Sequence, residues 1–167
     1  MVTGATSGIG KALALQLAEA GFNLLIISRK IDVLEKMTHT LESEFGVQAN
    51  FLAVDLSQSS SYEQVMKAAT DYDIGLVVLS AGYGTSGSFI ESQLETEIDM
   101  LHVNCRAVLV LSHYFAQKFE AQNKGAIVLL SSIVAFQGVP NAAHYAATKA
   151  YVQTLGEGLA GELKNTQ

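Results

Sequence analysis

Val2-Thr3-Gly4-Ala5-Thr6-Ser7-Gly8-Ile9-Gly10 opens the chain and decides how the rest of it is read. Glycines 4, 8 and 10 stand between a short apolar start and a helical pattern carried by Ile9, Leu13, Leu17 and Ala20, which Gly21 stops. A glycine turn from strand to helix permits a tight bend and close approach of backbone to a pyrophosphate at the helix N-terminus. Taken alone, the stretch also reads as a plain glycine-rich turn. The elements that follow must choose.

They alternate. Leu24–Ile27 is a continuous apolar run, the pattern of a parallel strand covered on both faces. A helix follows with Leu34, Met37, Leu41 and Phe45 inward and Gly46 at its end. Phe51–Val54 is a strand closed by Asp55, and Tyr62, Val65, Met66 and Ala69 mark the next helix. Leu76–Leu79 is a fourth strand. One long helix is expected from about Leu94 to Phe119, with Ile98, Leu101, Cys105, Val108, Ser112, Phe115 and Phe119 inward. Ala126–Leu130 is a fifth strand. Pro140-Asn141 predicts the start of a last helix, with Asn141 as its cap, running on through Leu155, Leu159 and Leu163.

Strands alternating with helices imply a Rossmann-type, doubly wound parallel α/β sheet, a single dinucleotide-binding domain over residues 1–167. Ligands of such sheets sit beyond the carboxyl ends of the strands. The residues there are Gly4 to Gly10, Ser28-Arg29, Asp55, Ser80-Ala81-Gly82 and Ser131-Ser132, which one crevice would collect.

Composition narrows the class. Of the 167 residues 49% are apolar and only 16% charged, which fits a sheet buried on both faces or surface hidden in an oligomer. A net charge of −6 argues against nucleic acid or an anionic membrane as partner. The single cysteine, Cys105, fits a reducing, cytoplasmic setting and reads as core. There is no apolar run of membrane-spanning length and no secretory pattern at the N-terminus. His39, His102, His113 and His144 lack metal-ligand spacing and read as structural.

Two features carry chemistry. Tyr145 and Lys149 are i and i+4, on one face of the last helix. An ammonium one turn away and a helix N-terminus both favour a phenolate, so such a tyrosine can exchange a proton near neutral pH. By themselves the two also read as a surface pair sharing a helix face. At the end of the second strand stands Ser28, where a carboxylate would grip a ribose 2′-hydroxyl, and Arg29-Lys30 follow. A guanidinium suits a 2′-phosphate, which favours NADP(H) over NAD(H); a solvated basic pair is the alternative.

With Thr3-Gly4-x-x-x-Gly8-x-Gly10 and Tyr145-x-x-x-Lys149 both in place, the whole chain resembles the classical short-chain dehydrogenase/reductase family. The resemblance implies hydride transfer between a nicotinamide and a small carbonyl or alcohol substrate. It implies Tyr145 as acid/base, Lys149 as its partner and a holder of the nicotinamide ribose, and Ser132, thirteen residues before Tyr145, as the serine on the substrate oxygen. Asn104 matches the family asparagine of a water-linked proton relay. The cofactor residues implied are Thr3, Gly4, Ser7, Gly8, Ile9, Gly10, Ser28, Arg29, Asp55 (for the adenine), Leu56, Ser80, Ala81, Gly82, Tyr145 and Lys149. Ser80 departs from the family's Asn-Ala-Gly and puts a sheet-stabilising hydrogen bond in doubt.

The apolar loop Ile133–Val139 either walls an apolar substrate or packs on the next helix. A dinucleotide-binding regulator without turnover, and an isomerase or dehydratase on the same scaffold, are the alternative functions. A homodimer or homotetramer is implied, through the two helices that form the main subunit contact in the family. Only three residues precede Gly4, and the chain stops as the Tyr145 helix finishes. It is expected to be an excerpt, truncated at both ends, with its first strand clipped and the family's sixth and seventh strands absent.

Overall fold

The computed structural model describes residues 1–163. Five parallel strands form one sheet: β1 (Val2–Thr3), β2 (Leu24–Ser28), β3 (Ala49–Ala53), β4 (Leu76–Leu79) and β5 (Ala126–Leu129). Their order is β3-β2-β1-β4-β5, so the chain winds outward in one direction from β1 and then returns to start again on its other side. Val2 is in register with Ile26 on one side and Val78 on the other. The reversal of strand order thus lies between β1 and β4, where a doubly wound sheet opens its ligand crevice.

The apolar runs of the central strands are explained by the two cores they fill. Leu24, Ile26 and Val78 face α1 (Gly8–Glu19) and α2 (Ile31–Phe45), packing with Ala14, Ala18, Leu34 and Leu41. The alternate residues Leu25, Ile27, Val77 and Leu79 pack on the opposite side with Val65, Leu111, Phe115 and Val152. These come from α3 (Ser60–Thr70), α5 (Ala107–Gln122) and α6 (Ala143–Glu162). Ile26 and Ile27 are both fully buried, on opposite faces. At roughly 1.5–3 kcal/mol per buried aliphatic side chain, a polar residue at either position would be costly.

One helix shows which stripe it buries, and two helical expectations need correction. On α1 the buried residues are Gly10, Ala14 and Ala18, not the Ile9–Leu13–Leu17 row, and Ile9 is 65% exposed. Small side chains let α1 lie close to the sheet; a Cβ on Gly10 would be 2.9 Å from both the Gly4 carbonyl carbon and Ser80 Oγ. The long helix is α4 (Leu94–Leu101), a π-turn (His102–Arg106) and α5 in succession. The π-turn inserts a residue and rotates the inward face, so Glu97 and Met100 are buried ahead of it while Ile98 and Leu101 are each 43% exposed. Finally, Asn141 does not cap α6. It sits in the left-handed region (φ 62), and Ala142 is the residue before the first turn.

Candidate active site

Thr3 ends β1, and its buried hydroxyl ties the crossing point together, accepting from Ala81 N–H at 3.0 Å and donating to the Val78 carbonyl. The chain then turns through Gly4 (φ 65), whose missing Cβ would lie 2.8 Å from Ala81 Cα. Any larger residue would push apart the two strands that flank the crevice. Gly8 also has positive φ (53) and opens α1. Ser7 precedes it in extended conformation without capping the helix through its side chain, so the first-turn N–H groups remain available for an anion.

A cavity of about 370 Å³ begins at this turn. Gly4, Thr6 and Ser7 line one side of it, Ser28 and Arg29 the end of β2, Asp55 and Leu56 the end of β3, and Ala81 and Gly82 the end of β4. Thr6 Oγ1 and Ser28 Oγ are hydrogen-bonded at 2.8 Å, and Asp55 Oδ1 accepts from Ser57 N–H. The glycine turn, the hydroxyls of Thr6 and Ser28 and the Arg29 guanidinium offer hydrogen bonds and positive charge to an anionic ligand.

An adjoining cavity of about 240 Å³ joins this turn to the last helix. Ser7, Gly8, Ile9, Ser80, Ser131, Tyr145 and Lys149 all line it. Lys149 Nζ lies 5.9 Å from the centroid of the Tyr145 ring and donates to the Leu130 carbonyl at 2.8 Å. Only 9% of Lys149 is exposed, and burial pulls its ammonium below the usual lysine range. The Tyr145 ring rests on backbone: a Cβ on Gly84 would be 2.9 Å from its Cδ2.

The two serines divide their work. Ser131 Oγ donates to the Lys149 carbonyl, while Ser132 Oγ accepts from Val134 N–H and caps a short 3₁₀ turn (Ile133–Phe136). Ser131, not Ser132, is among the residues lining the cavity with Tyr145. Asn104 lies behind both cavities, in the π-turn and 1% exposed. Its Oδ1 accepts from Tyr83 N–H, and its Nδ2 donates to the Tyr83 carbonyl and to Thr148 Oγ1.

A family model described as "short chain dehydrogenase" matches residues 1–167. The chain belongs to the short-chain dehydrogenase family. It is 32% identical over 166 residues to a 7beta-hydroxysteroid dehydrogenase of Clostridium sardiniense, covering 99% of this chain and 64% of that protein. It is 36% identical over 168 residues to a very-long-chain 3-oxoacyl-CoA reductase of Danio rerio, covering 98% of this chain and 53% of the relative. Among solved structures, a short-chain dehydrogenase of Sphingobium yanoikuyae in complex with NADPH superposes with a TM-score of 0.94 at 31% identity. That match covers 99% of this chain and 65% of the solved one. The chain therefore spans between half and two thirds of these relatives' lengths.

Within this family frame, three side chains stand out that the motifs do not mark. Tyr83 lines the larger cavity, and its hydroxyl donates to Asp99 Oδ2 and to the Thr96 carbonyl. Burial, then the Asp99 contact, pushes its phenol up to about 12. Its only sequence signal is its place directly after Ser80-Ala81-Gly82. Glu97, buried, and His144, half-buried, form a pair at 2.7 Å. Glu97 shares its helix face with Met100 and Asn104, a carboxylate where an apolar residue would be expected.

Proposed function

We propose that this short-chain dehydrogenase transfers a hydride between NADP(H) and a carbonyl or alcohol, with Tyr145 as the acid/base. The observation that carries this reading is the continuity of the two cavities: the glycine turn, Arg29, Asp55, Tyr145 and Lys149 all border one crevice at the strand reversal. The cofactor, held along the glycine turn, supplies the hydride and the hard redox chemistry. The chain's own residues orient and polarise. Tyr145 gives its proton to the developing alkoxide, and a serine hydroxyl donates to the same oxygen. Ser132 is assigned that second role by family resemblance, with Ser131 on the cavity wall as the alternative. Lys149, buried and one turn from Tyr145, sets its ammonium 5.9 Å from the centroid of that ring.

NADP(H) is favoured over NAD(H) by Arg29 in the cavity beside Ser28, which ends β2 without offering a carboxylate, and by the NADPH bound in the similar solved structure. Arg29→Ala is expected to cost about 1.5–3 kcal/mol of NADPH affinity and leave NADH nearly unchanged. Titration of both cofactors into wild type and variant checks this, and an unchanged preference would refute it. The substrate reading is an apolar body bearing a carbonyl. Exposed Ile133 and Phe136 follow Ser132, and the named substrates of the two relatives above are a hydroxysteroid and a very-long-chain acyl group. Loss of NADPH absorbance across a panel of ketones tests the reaction in the intact protein. An isomerase on this scaffold would convert substrate with no net consumption, and a regulator would convert none.

The exposed row Leu94, Ile98, Leu101 and Leu109 along α4 and α5 favours a homodimer or homotetramer. Sedimentation of the intact protein at micromolar concentration should show no monomer, and a stable monomer would exclude this surface as an interface.

A further inference from the structure

Segment 83–87, after β4, is held at four points. Tyr83 is bonded through its backbone to Asn104, and Gly84 lies against the Tyr145 ring. Thr85 Oγ1 donates to both oxygens of Glu97, at 3.1 and 3.4 Å, and Gly87 N–H donates to the Asn141 carbonyl at 2.9 Å. Glu97, only 5% exposed, is the hub of this arrangement. On its other side Oε2 meets His144 Nδ1 at 2.7 Å, and because a carboxylate only accepts, Nδ1 carries the hydrogen. His144 is the residue before Tyr145, in the first turn of α6. One carboxylate therefore joins the two pieces of backbone between which the Tyr145 ring is held.

We propose that the Glu97–His144 pair is a positioning clamp that fixes the Tyr145 ring between the first turn of α6 and the loop after β4. Glu97 and His144 are positioning residues, and neither lines the two cavities of the crevice. The inference rests on Tyr145 being the proton donor. Its geometric part, that the pair holds the two segments together, stands without that reading.

The clamp has a predictable pH response. The titratable groups around it are Glu91, Glu97 and His144, which line one cavity of about 210 Å³, and Tyr83, whose phenol is raised in part by the Glu97 charge. The hydrogen bond from His144 is the main reason that the Glu97 carboxyl is held below its usual range, and burial opposes it. A carboxyl lowered in this way stabilises the fold above its ordinary pKa of about 4.3 and loses that effect as pH falls through the lowered value. Without His144, only the weaker contacts from the Thr85 and Ser92 hydroxyls still oppose burial. The acid limb of both stability and turnover then moves to higher pH.

The test compares His144→Ala, His144→Asn and His144→Gln in the intact protein. Asn places an amide N–H where Nδ1 lies, whereas Gln places it where Nε2 lies. His144→Ala and His144→Gln should lower kcat about tenfold or more, since a displacement of about 1 Å can cost up to a hundredfold. NADPH affinity should stay within about twofold, because no cofactor contact is touched. Amide hydrogen exchange should speed up in residues 84–87 and 143–147 and not in β1 or α1. His144→Asn should recover most of the lost kcat and restore the exchange pattern. Equal kcat for Asn and Gln, or exchange unchanged in His144→Ala, overturns the clamp; should the alanine variant not fold, the Asn–Gln comparison decides. If Tyr145→Phe retains turnover while exchange responds as stated, the clamp stands and the role of Tyr145 falls.

Discussion

Tyr145→Phe is expected to lower turnover of any ketone substrate by about a hundredfold to ten-thousandfold, the usual worth of a positioned general acid. NADPH affinity should stay within about twofold. The ring itself is retained, and so is its packing on Gly84, where a Cβ would come within 2.9 Å of it. Only the hydroxyl goes. Lys149 remains in place because its ammonium is anchored on the Leu130 carbonyl and not on the phenol. The variant should therefore melt within a degree or two of wild type and quench with NADPH in the same way. Its rate is the quantity that changes. Residual turnover above a tenth of wild type would remove Tyr145 as the proton donor. The buried setting of Lys149 adds a second signature in the wild type. Its lowered pKa means that the ammonium neutralises at lower pH than an ordinary lysine's, so its charge near the Tyr145 ring is lost from the alkaline side first.

Much of the architecture was legible because it rests on periodicity and on turn chemistry. Leu24–Ile27 reads as a strand buried on both faces, and Ile26 and Ile27 do enter two different cores. Gly46 ends α2 in the left-handed conformation that only glycine adopts cheaply (φ 67). Of the residues expected at the carboxyl ends of the strands, Gly4, Ser7, Ser28, Arg29, Asp55, Ser80, Ala81, Gly82 and Ser131 line the two adjoining cavities, and Ser132 does not. What was not legible depends on contacts between distant segments. The spacing of Ile9, Leu13 and Leu17 names a helix but not which stripe is buried. Close approach to the sheet selects the small stripe Gly10, Ala14 and Ala18 instead. A π-turn leaves no mark in a hydrophobic pattern except a face that drifts, and here the drift exposes Ile98 and buries Glu97. His144 read as structural because its partner is 47 residues away, on a face the pattern left outside the apolar row of Ile98, Leu101 and Cys105.

Asn104→Ala should lower the melting temperature by roughly 10 °C, the largest stability loss expected of any single polar substitution at the site. The carboxamide is 1% exposed and uses both ends. Its Oδ1 holds Tyr83 N–H at 3.1 Å, and its Nδ2 holds the Tyr83 carbonyl at 2.8 Å and Thr148 Oγ1 at 3.0 Å. Truncation strands both backbone groups of Tyr83; Thr148 Oγ1 keeps its own bond to the Tyr145 carbonyl. Two part-buried backbone groups left unpaired, at the lower end of about 1–3 kcal/mol each, give a loss of roughly 2–4 kcal/mol. A domain of this size shifts by about 2–4 °C per kcal/mol. Asn104→Asp separates this from a simple cavity effect. It keeps an acceptor for Tyr83 N–H but turns an oxygen toward the Tyr83 carbonyl, so it should melt no higher than the alanine variant. Because Gly82 packs on Oδ1, with no room for a Cβ, a larger side chain at position 104 cannot substitute either. Loss of activity in these variants is thus expected from the loosened loop alone, before any proton relay is invoked. A variant that melts with wild type yet turns over no substrate would instead place the Asn104 carboxamide in the chemistry.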